Sequence, residues 1–243
     1  MARKFGMIST SIWSSKRFKS LDGNAAKLVY FYLHTNRHGN SIGVYQIPVD
    51  YFTADLKMDS DDVKGAMQKI SDAGLAEYDA DEEVIRIVGW FTHNPLTNRK
   101  HLMGAVNAFN DLPTDSKLRP VVALEIAYSM VSRIKLWSNE PKIHEAKAEV
   151  VEILSELLTK TRASVGNKAF DEIFIDLSID LRIALSIALP IGLPIVRQIQ
   201  ETEMETEIET ETNTETDTGK SPKKNVQDGV ADLNAKAKKE RQK

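Results

Sequence analysis

Apolar positions in the first ninety residues change period several times, and each change marks an expected element. In "LDGNAAKLVYFYLHTNRHGN", Leu21, Ala25, Leu28, Val29, Tyr32 and Leu33 recur at helical spacing. This predicts a helix capped at Asp22 and closed by Gly39. "SIGVYQIP" alternates about Ile42, Val44 and Ile47 and predicts a short strand. A second helix is expected from Pro48, a residue suited to a first helical turn. A third is expected over "DSDDVKGAMQKISDAG", with Asp59 or Ser60 as cap and Gly74 as stop. Its apolar stripe is Val63, Met67 and Ile70. "LAEYD" and "VIRIVGW" alternate on either side of "ADEE", the pattern of a β-hairpin. Upstream, Ile12 and Trp13 are expected to anchor the N-terminal segment on a core, with Lys16, Arg17 and Lys19 projecting nearby.

Helix, strand, helix, helix and hairpin, joined by short links, is the order of a winged helix-turn-helix. Beyond it, Asn94-Pro95 signals a turn, followed by a short helix ending before Pro113. Residues 118–137 and 141–160 then read as two amphipathic helices. Val122, Ile126, Met130, Ile134 and Trp137 form one stripe; Ile143, Val150, Ile153, Leu154 and Leu157 form the other. These stripes suit packing on the winged helix or on each other; the alternative is a dimerisation or partner surface.

From residue 173 a four-residue step takes over. Residues 177–196 read LSID, LRIA, LSIA, LPIG, LPIV, and the acidic units ETEM, ETEI, ETET and NTET continue in the same step. Three readings fit. As protein, Leu-x-Ile-x alternation is strand-like, so 173–189 could form a β-element, although Pro190 and Pro194 argue for a linker. As an accident, slippage of a twelve-nucleotide unit would extend the run. As DNA, a unit of ~12 base pairs nearly matches one helical turn of ~10–10.5 base pairs, so successive units show one face to a bound protein.

Composition narrows the classes. Across 243 residues, 42% are hydrophobic and 28% charged, ordinary for a globular chain. The absence of cysteine removes disulfides, thiolate catalysis and cysteine-ligated zinc, and suits a cytoplasmic location. No signal peptide is expected from "MARKFGMISTSIW", and the uncharged run 183–196 is too short to span a membrane. The net charge of −3 hides a strong pattern: +6 over 1–40, −7 over 41–90, −10 over 169–218 and +5 over 219–243. Cationic segments at both ends allow a polyanionic partner at those places.

No catalytic constellation emerges. "DTGKS" at 217–221 lacks the first glycine of a phosphate loop and has Thr214 there. His34 and His38 stand four apart, the spacing of a helical metal pair, but no third ligand accompanies them. No metal or other cofactor is expected.

On the third helix, the exposed face would carry Asp61, Lys64, Gly65, Gln68 and Asp72, with Lys69 at its edge. Lys64 and Gln68 lie one turn apart and could reach base edges. Asp59, Asp61 and Asp62 suit the helix dipole but repel phosphate, as does the acidic hairpin tip "DADEE". The better phosphate contacts are Lys16, Arg17, Lys19, Arg37, Arg99 and Lys100, with His101 beside them.

Two longer stretches carry a resemblance: "STSIWSSKRFKSLDGNAAKLVYFYLHTNRHGNSIGVYQIP" and "GLAEYDADEEVIRIVGWFTHN". From about Phe5 to Pro113 the chain resembles phage replication initiators or replisome organisers, and it is similar to the N-terminal domain of DnaD-like primosome proteins. The resemblance implies a winged helix that binds origin double-stranded DNA and helps recruit a helicase or helicase loader. Residues 118–162 do not match the helicase-contacting motif of the DnaD-like proteins. Some initiators of this kind carry their origin as direct repeats within their own gene, which places codons 173–216 as candidate binding sites.

The expected fold is α+β, mostly α. Residues 1–113 form a winged-helix domain, 114–165 a helical extension, 166–218 a disordered repeat linker and 219–243 a basic tail. The expected function is non-enzymatic replication initiation, with homo-oligomerisation an open possibility and no membrane partner. The alternatives are a winged-helix transcriptional regulator and a protein-binding adaptor without DNA contact.

Overall fold

Capping and glycine positions set the element boundaries in the computed structural model, which describes Gly6 and residues 8–134, 136–137, 141–177 and 179–191. All of these fall within one compact unit, Met1–Val196. A 3₁₀ turn, Thr10–Ser14, leads into the single-turn helix α1 (Lys16–Lys19), whose Phe18 amide donates to the capping Ser15 hydroxyl. Next come α2 (Asn24–Thr35), β1 (Val44–Gln46), α3 (Val49–Leu56) and α4 (Ser60–Asp72). The hairpin is β2 (Ala76–Asp79) and β3 (Val84–Ile87), followed by the turn α5 (Trp90–His93). Five helices complete the described chain: α6 (Arg99–Asn110), α7 (Arg119–Ile134), α8 (Pro141–Val165), α9 (Asn167–Ile175) and α10 (Ile179–Ala188).

The fold is therefore mostly helical with one three-stranded antiparallel sheet, in the order β1-β3-β2. Central strand β3 is buried on both faces. Ile85 and Ile87 pack toward α2, α3 and α4 with Phe18, Val29, Phe52, Val63 and Ile70. Val84, with Ile42 and Val44, packs toward α6–α10 with Leu102, Phe109, Ile126, Met130 and Leu154. The helical extension thus shares a core with the back of the sheet.

Several expectations shift at the boundaries. The first long helix starts at Asn24 after Gly23, whose φ of 85° favours glycine, and Asp22 does not cap it. It ends at Thr35, and the Asn36 amide closes it by donating to the Tyr32 carbonyl. Its buried residues are Ala26, Val29, Tyr30, Tyr32 and Leu33; of the expected stripe, Val29, Tyr32 and Leu33 are buried, while Ala25 and Leu28 face solvent. The alternation in "VIRIVGW" does not carry β3 to Trp90. The strand stops at Ile87, Gly89 turns the chain at φ 74°, and Trp90 folds back to donate to the Ser41 carbonyl at 2.9 Å. A Cβ at Gly43 (φ 67°) would lie 2.3 Å from the Trp90 ring, so this close approach requires glycine.

The largest correction concerns residues 166–189, expected as β-element or linker. They form α9 and α10, and both pack on α7. Phe170, Phe174, Leu185 and Leu189 are buried. The physical reason is the step of four. Each unit advances about 40° beyond one helical turn, so the leucines stay on one face for several units. The isoleucines, two residues on, fall on the opposite side. Leu185 is 0% exposed and Ile187 77%. Repeat units beyond Ile191, the acidic run and the basic tail 219–243 lie outside the described residues.

Candidate nucleic-acid interface

Helix α4 is held against α2 and α3 by Val63, Ala66, Met67 and Ile70, all buried. This turns Asp61, Lys64, Gly65, Gln68, Lys69 and Asp72 to solvent, as the periodicity predicts. The Gln68 amide donates to Asp72 at 2.7 Å and so lies along the helix surface. Lys64 is exposed in the middle of the face.

The basic segment 16–19 sits at one particular end of this helix. Phe18 is buried and pins α1, leaving Lys16, Arg17 and Lys19 exposed around it. Arg17 Nη1 donates to the Gly74 carbonyl at 3.3 Å, just past the C-terminus of α4. Lys69 Nζ reaches the Asp22 carbonyl, 3.4 Å away. The structure thereby brings Arg17 and Lys69 to the C-terminal end of α4, where cations also complement the helix dipole, and Lys16 and Lys19 flank Arg17 on α1. Helix α4 carries Asp59, Asp61 and Asp62 at its N-terminal end, while at its C-terminal end Arg17 and Lys69 accompany Asp72, a difference visible only once α1 is placed.

The remaining predicted cations lie elsewhere, and two of them are paired. Arg37 pairs with Asp55 of α3 at 3.5 Å. Asp55 also accepts the Tyr32 hydroxyl at 2.7 Å; burial first, and then that carboxylate, push the Tyr32 phenol upward. Arg99 pairs with Glu149 of α8 at 2.7 Å. Lys100 is exposed on α6 and makes no ion pair among the described residues. His38 lies past the end of α2, so His34 and His38 do not share a helical face. No group of three or more potential metal ligands occurs among the described residues.

Between α4 and the hairpin runs a groove of 390 Å³ lined by Lys64, Gln68, Ser71, Tyr78 and Glu83. Burial, then Glu83 and Asp79, push the Tyr78 phenol up to about 12, so it stays protonated in neutral solution. Its hydroxyl points to the Ile47 carbonyl at 3.4 Å.

The hairpin is tied down from behind by residues that carry no motif in the sequence. Asp79, buried at the end of β2, accepts the Ser116 hydroxyl at 2.8 Å and the Lys117 amide at 2.9 Å. Lys117 Nζ sits 3.4 Å from Asp79 and 3.8 Å from Asp81. Burial pulls the Asp79 carboxyl up, but these donors outweigh it and hold it below the ordinary range. Deeper in the sheet, Arg86 of β3 makes two bonds to Glu77, at 2.6 and 3.1 Å, and one to Glu125 of α7 at 2.6 Å. Burial opposes the Arg86 charge, yet the two carboxylates outweigh it.

Trp13 also departs from expectation. Ile12 packs on the core, but the Trp13 indole is 61% exposed. No helix among the described residues is long and apolar enough to cross a membrane. No protein-family model, curated protein or solved structure matches this chain.

Proposed function

We propose that this protein is a non-enzymatic replication initiator of the phage type, acting in the cytoplasm. It binds origin DNA through α4 and the basic segment before α2, and recruits helicase-loading machinery through other surfaces. In this reading, α2, β1, α3, α4 and the β2–β3 hairpin are a winged helix, with β1 joining the hairpin at β3. The observation that carries it is the placement of Arg17 and Lys69 at the C-terminal end of α4, with Lys16 and Lys19 exposed on the same short helix as Arg17. A duplex approaching that end meets phosphate-binding cations, with Lys64 and Gln68 next along the helix for base edges. The resemblance over residues 5–113 supports the same reading. The four-residue step supports binding sites within the gene, at codons 173–216. Those codons must also encode the buried side chains of α9 and α10, which limits drift in their first units.

The acidic N-terminus of α4 and the acidic hairpin tip favour a second reading, a protein-binding adaptor whose winged helix leaves DNA alone. Salt separates the two. Phosphate contacts make log affinity for a repeat-containing duplex fall linearly with log salt, by about 0.9 per contact. Replacing Lys16, Arg17 and Lys19 by glutamine should reduce that slope by about 0.9 for each phosphate no longer neutralised. A flat response, or no binding of repeat DNA at low salt, favours the adaptor. Recoding codons 173–216 synonymously leaves the protein identical; unchanged binding to the recoded gene rules out sites within it.

A further inference from the structure

Trp13 stands on the 3₁₀ turn close to several serines, and its ring is held from one side. Its centroid lies 5.5 Å from Phe18, edge-on at 83°, and 5.9 Å from Phe31, tilted at 52°. Phe18 is buried and itself packs on Phe31 at 5.4 Å, so the indole has a fixed aromatic base beneath it. Its remaining surface is open, and Leu28, 48% exposed, adds apolar surface on α2. The flanking sequence is cationic. Between Gly6 and Asn36 the formally charged side chains are Lys16, Arg17, Lys19 and Lys27 against Asp22 alone. Lys16 is three residues from Trp13, and Lys27 is one helical turn before Phe31.

An oriented, exposed indole with cations near it meets the two needs of an unpaired nucleotide, a face to stack on and charge for its phosphate. Paired bases in a duplex have both faces occupied by their neighbours and cannot use such a platform. A purely apolar partner would gain nothing from the lysines. We propose that Trp13, with Lys16 and Lys27 near it in the chain fold, is a stacking site for single-stranded nucleic acid that shares Lys16 with the proposed duplex interface but does not use α4. The site goes beyond the proposed duplex binding and does not depend on it, because it requires an unpaired base rather than α4.

The test is a fluorescence titration of the full chain with a fifteen-residue oligothymidylate at low salt. Of the three tryptophans, Trp90 is buried and Trp137 packs against the core, so Trp13 is the one placed to respond. Stacking should quench its emission. With affinities read from the anisotropy of an end-labelled oligothymidylate, which does not depend on Trp13, Trp13→Ala should raise the Kd about ten- to a hundredfold, and Trp13→Phe should restore most of the affinity. Inorganic polyphosphate, which has charge but no bases, should bind wild type and Trp13→Ala alike. Duplex affinity should be unchanged in Trp13→Ala, whereas failure of the wild type to bind duplex would sink the α4 reading without touching this one. The proposal is overturned if oligothymidylate fails to quench, if Trp13→Ala binds it as tightly as wild type, or if polyphosphate quenches equally. It is also overturned if sedimentation shows a dimer that Trp13→Ala dissociates, since the indole would then be buried between two copies of the chain.

Discussion

Arg86 offers the most demanding test of how the hairpin is joined to the helices behind it. Its side chain is 7% exposed, while its partners Glu125 and Glu77 are 21% and 43% exposed. The asymmetry decides the outcome of removing the cation. Glu77 can turn to water; Glu125, on α7, stays largely enclosed as a charge without a partner. Arg86→Met should therefore cost about 3–5 kcal/mol, the usual penalty for breaking a buried ion pair from one side. Glu77→Gln should cost no more than about 1 kcal/mol. The double variant Arg86→Met/Glu125→Leu removes both enclosed charges and fills their space with apolar atoms, so it should recover most of the loss. Urea unfolding followed by far-UV circular dichroism reads all four proteins. Burial raises the Glu125 carboxyl, and Arg86 offsets part of that rise. A raised carboxyl is most stabilising below its pKa and loses that contribution as pH climbs through it. In Arg86→Met burial acts with less opposition, so the deficit should be large at neutral pH and shrink in acid. The reasoning fails if Arg86→Met costs less than about 1 kcal/mol, if the double variant is as unstable as the single, or if the deficit grows on acidification.

The other predictions concern the hairpin tether and the repeat. Asp79 is held below the ordinary carboxyl range, so its contribution is present above the unfolded value of about 3.9 and is lost as pH falls through the lower folded value. Asp79→Asn should cost about 1–3 kcal/mol at neutral pH, and the gap in urea midpoint from wild type should close in acid. Leu185→Ala, at a fully buried position, should cost about 2–5 kcal/mol, whereas Ile187→Ala, two residues on and 77% exposed, should stay within about 0.5 kcal/mol. Equal effects would mean that the four-residue step does not form a two-sided helix.

Much of the N-terminal half is legible in the sequence because each of its elements has a single period. Val63, Met67 and Ile70 lie where the stripe in "DSDDVKGAMQKISDAG" puts them, and the exposed face of α4 follows from that alone. Cations are harder to rank. In the sequence, Arg37 and Arg99 look like Lys16, and only the fold supplies Asp55 and Glu149 as their partners. Arg86 occupies the polar phase of an alternating strand, which for a sheet with one wet face predicts exposure. The extension covers that face, so the same residue becomes a buried charge. A signal does exist: Glu125 interrupts the apolar run "VVALEIAYSMV" and asks for a cation. Trp13 carries no such signal, because a tryptophan among serines reads the same whether it anchors a turn or stands clear of it.

The repeat misleads for a physical reason that applies beyond this chain. Leu-x-Ile-x satisfies a period of two, which points to a strand. The unit, however, repeats every four residues, and four is close to one turn of an α-helix. Both geometries accept the pattern, but they sort its side chains differently. A strand puts leucine and isoleucine on the same face; a helix puts them on opposite faces. Burial of Leu185 and Leu189 with exposure of Ile187 selects the helix. The choice follows from what lies beside the segment. Helix α7 offers a continuous apolar surface through Val122, Ile126 and Met130, and α10 lies against it. A helix can bury one side chain per turn on such a surface while satisfying its own backbone, which a lone strand cannot do. Packing then constrains Leu185 and Leu189 and leaves Ile187 to some other cause. The proposed binding sites within the gene would supply that cause, because a repeat kept in the nucleotides reproduces every residue of the unit whether or not the fold buries it.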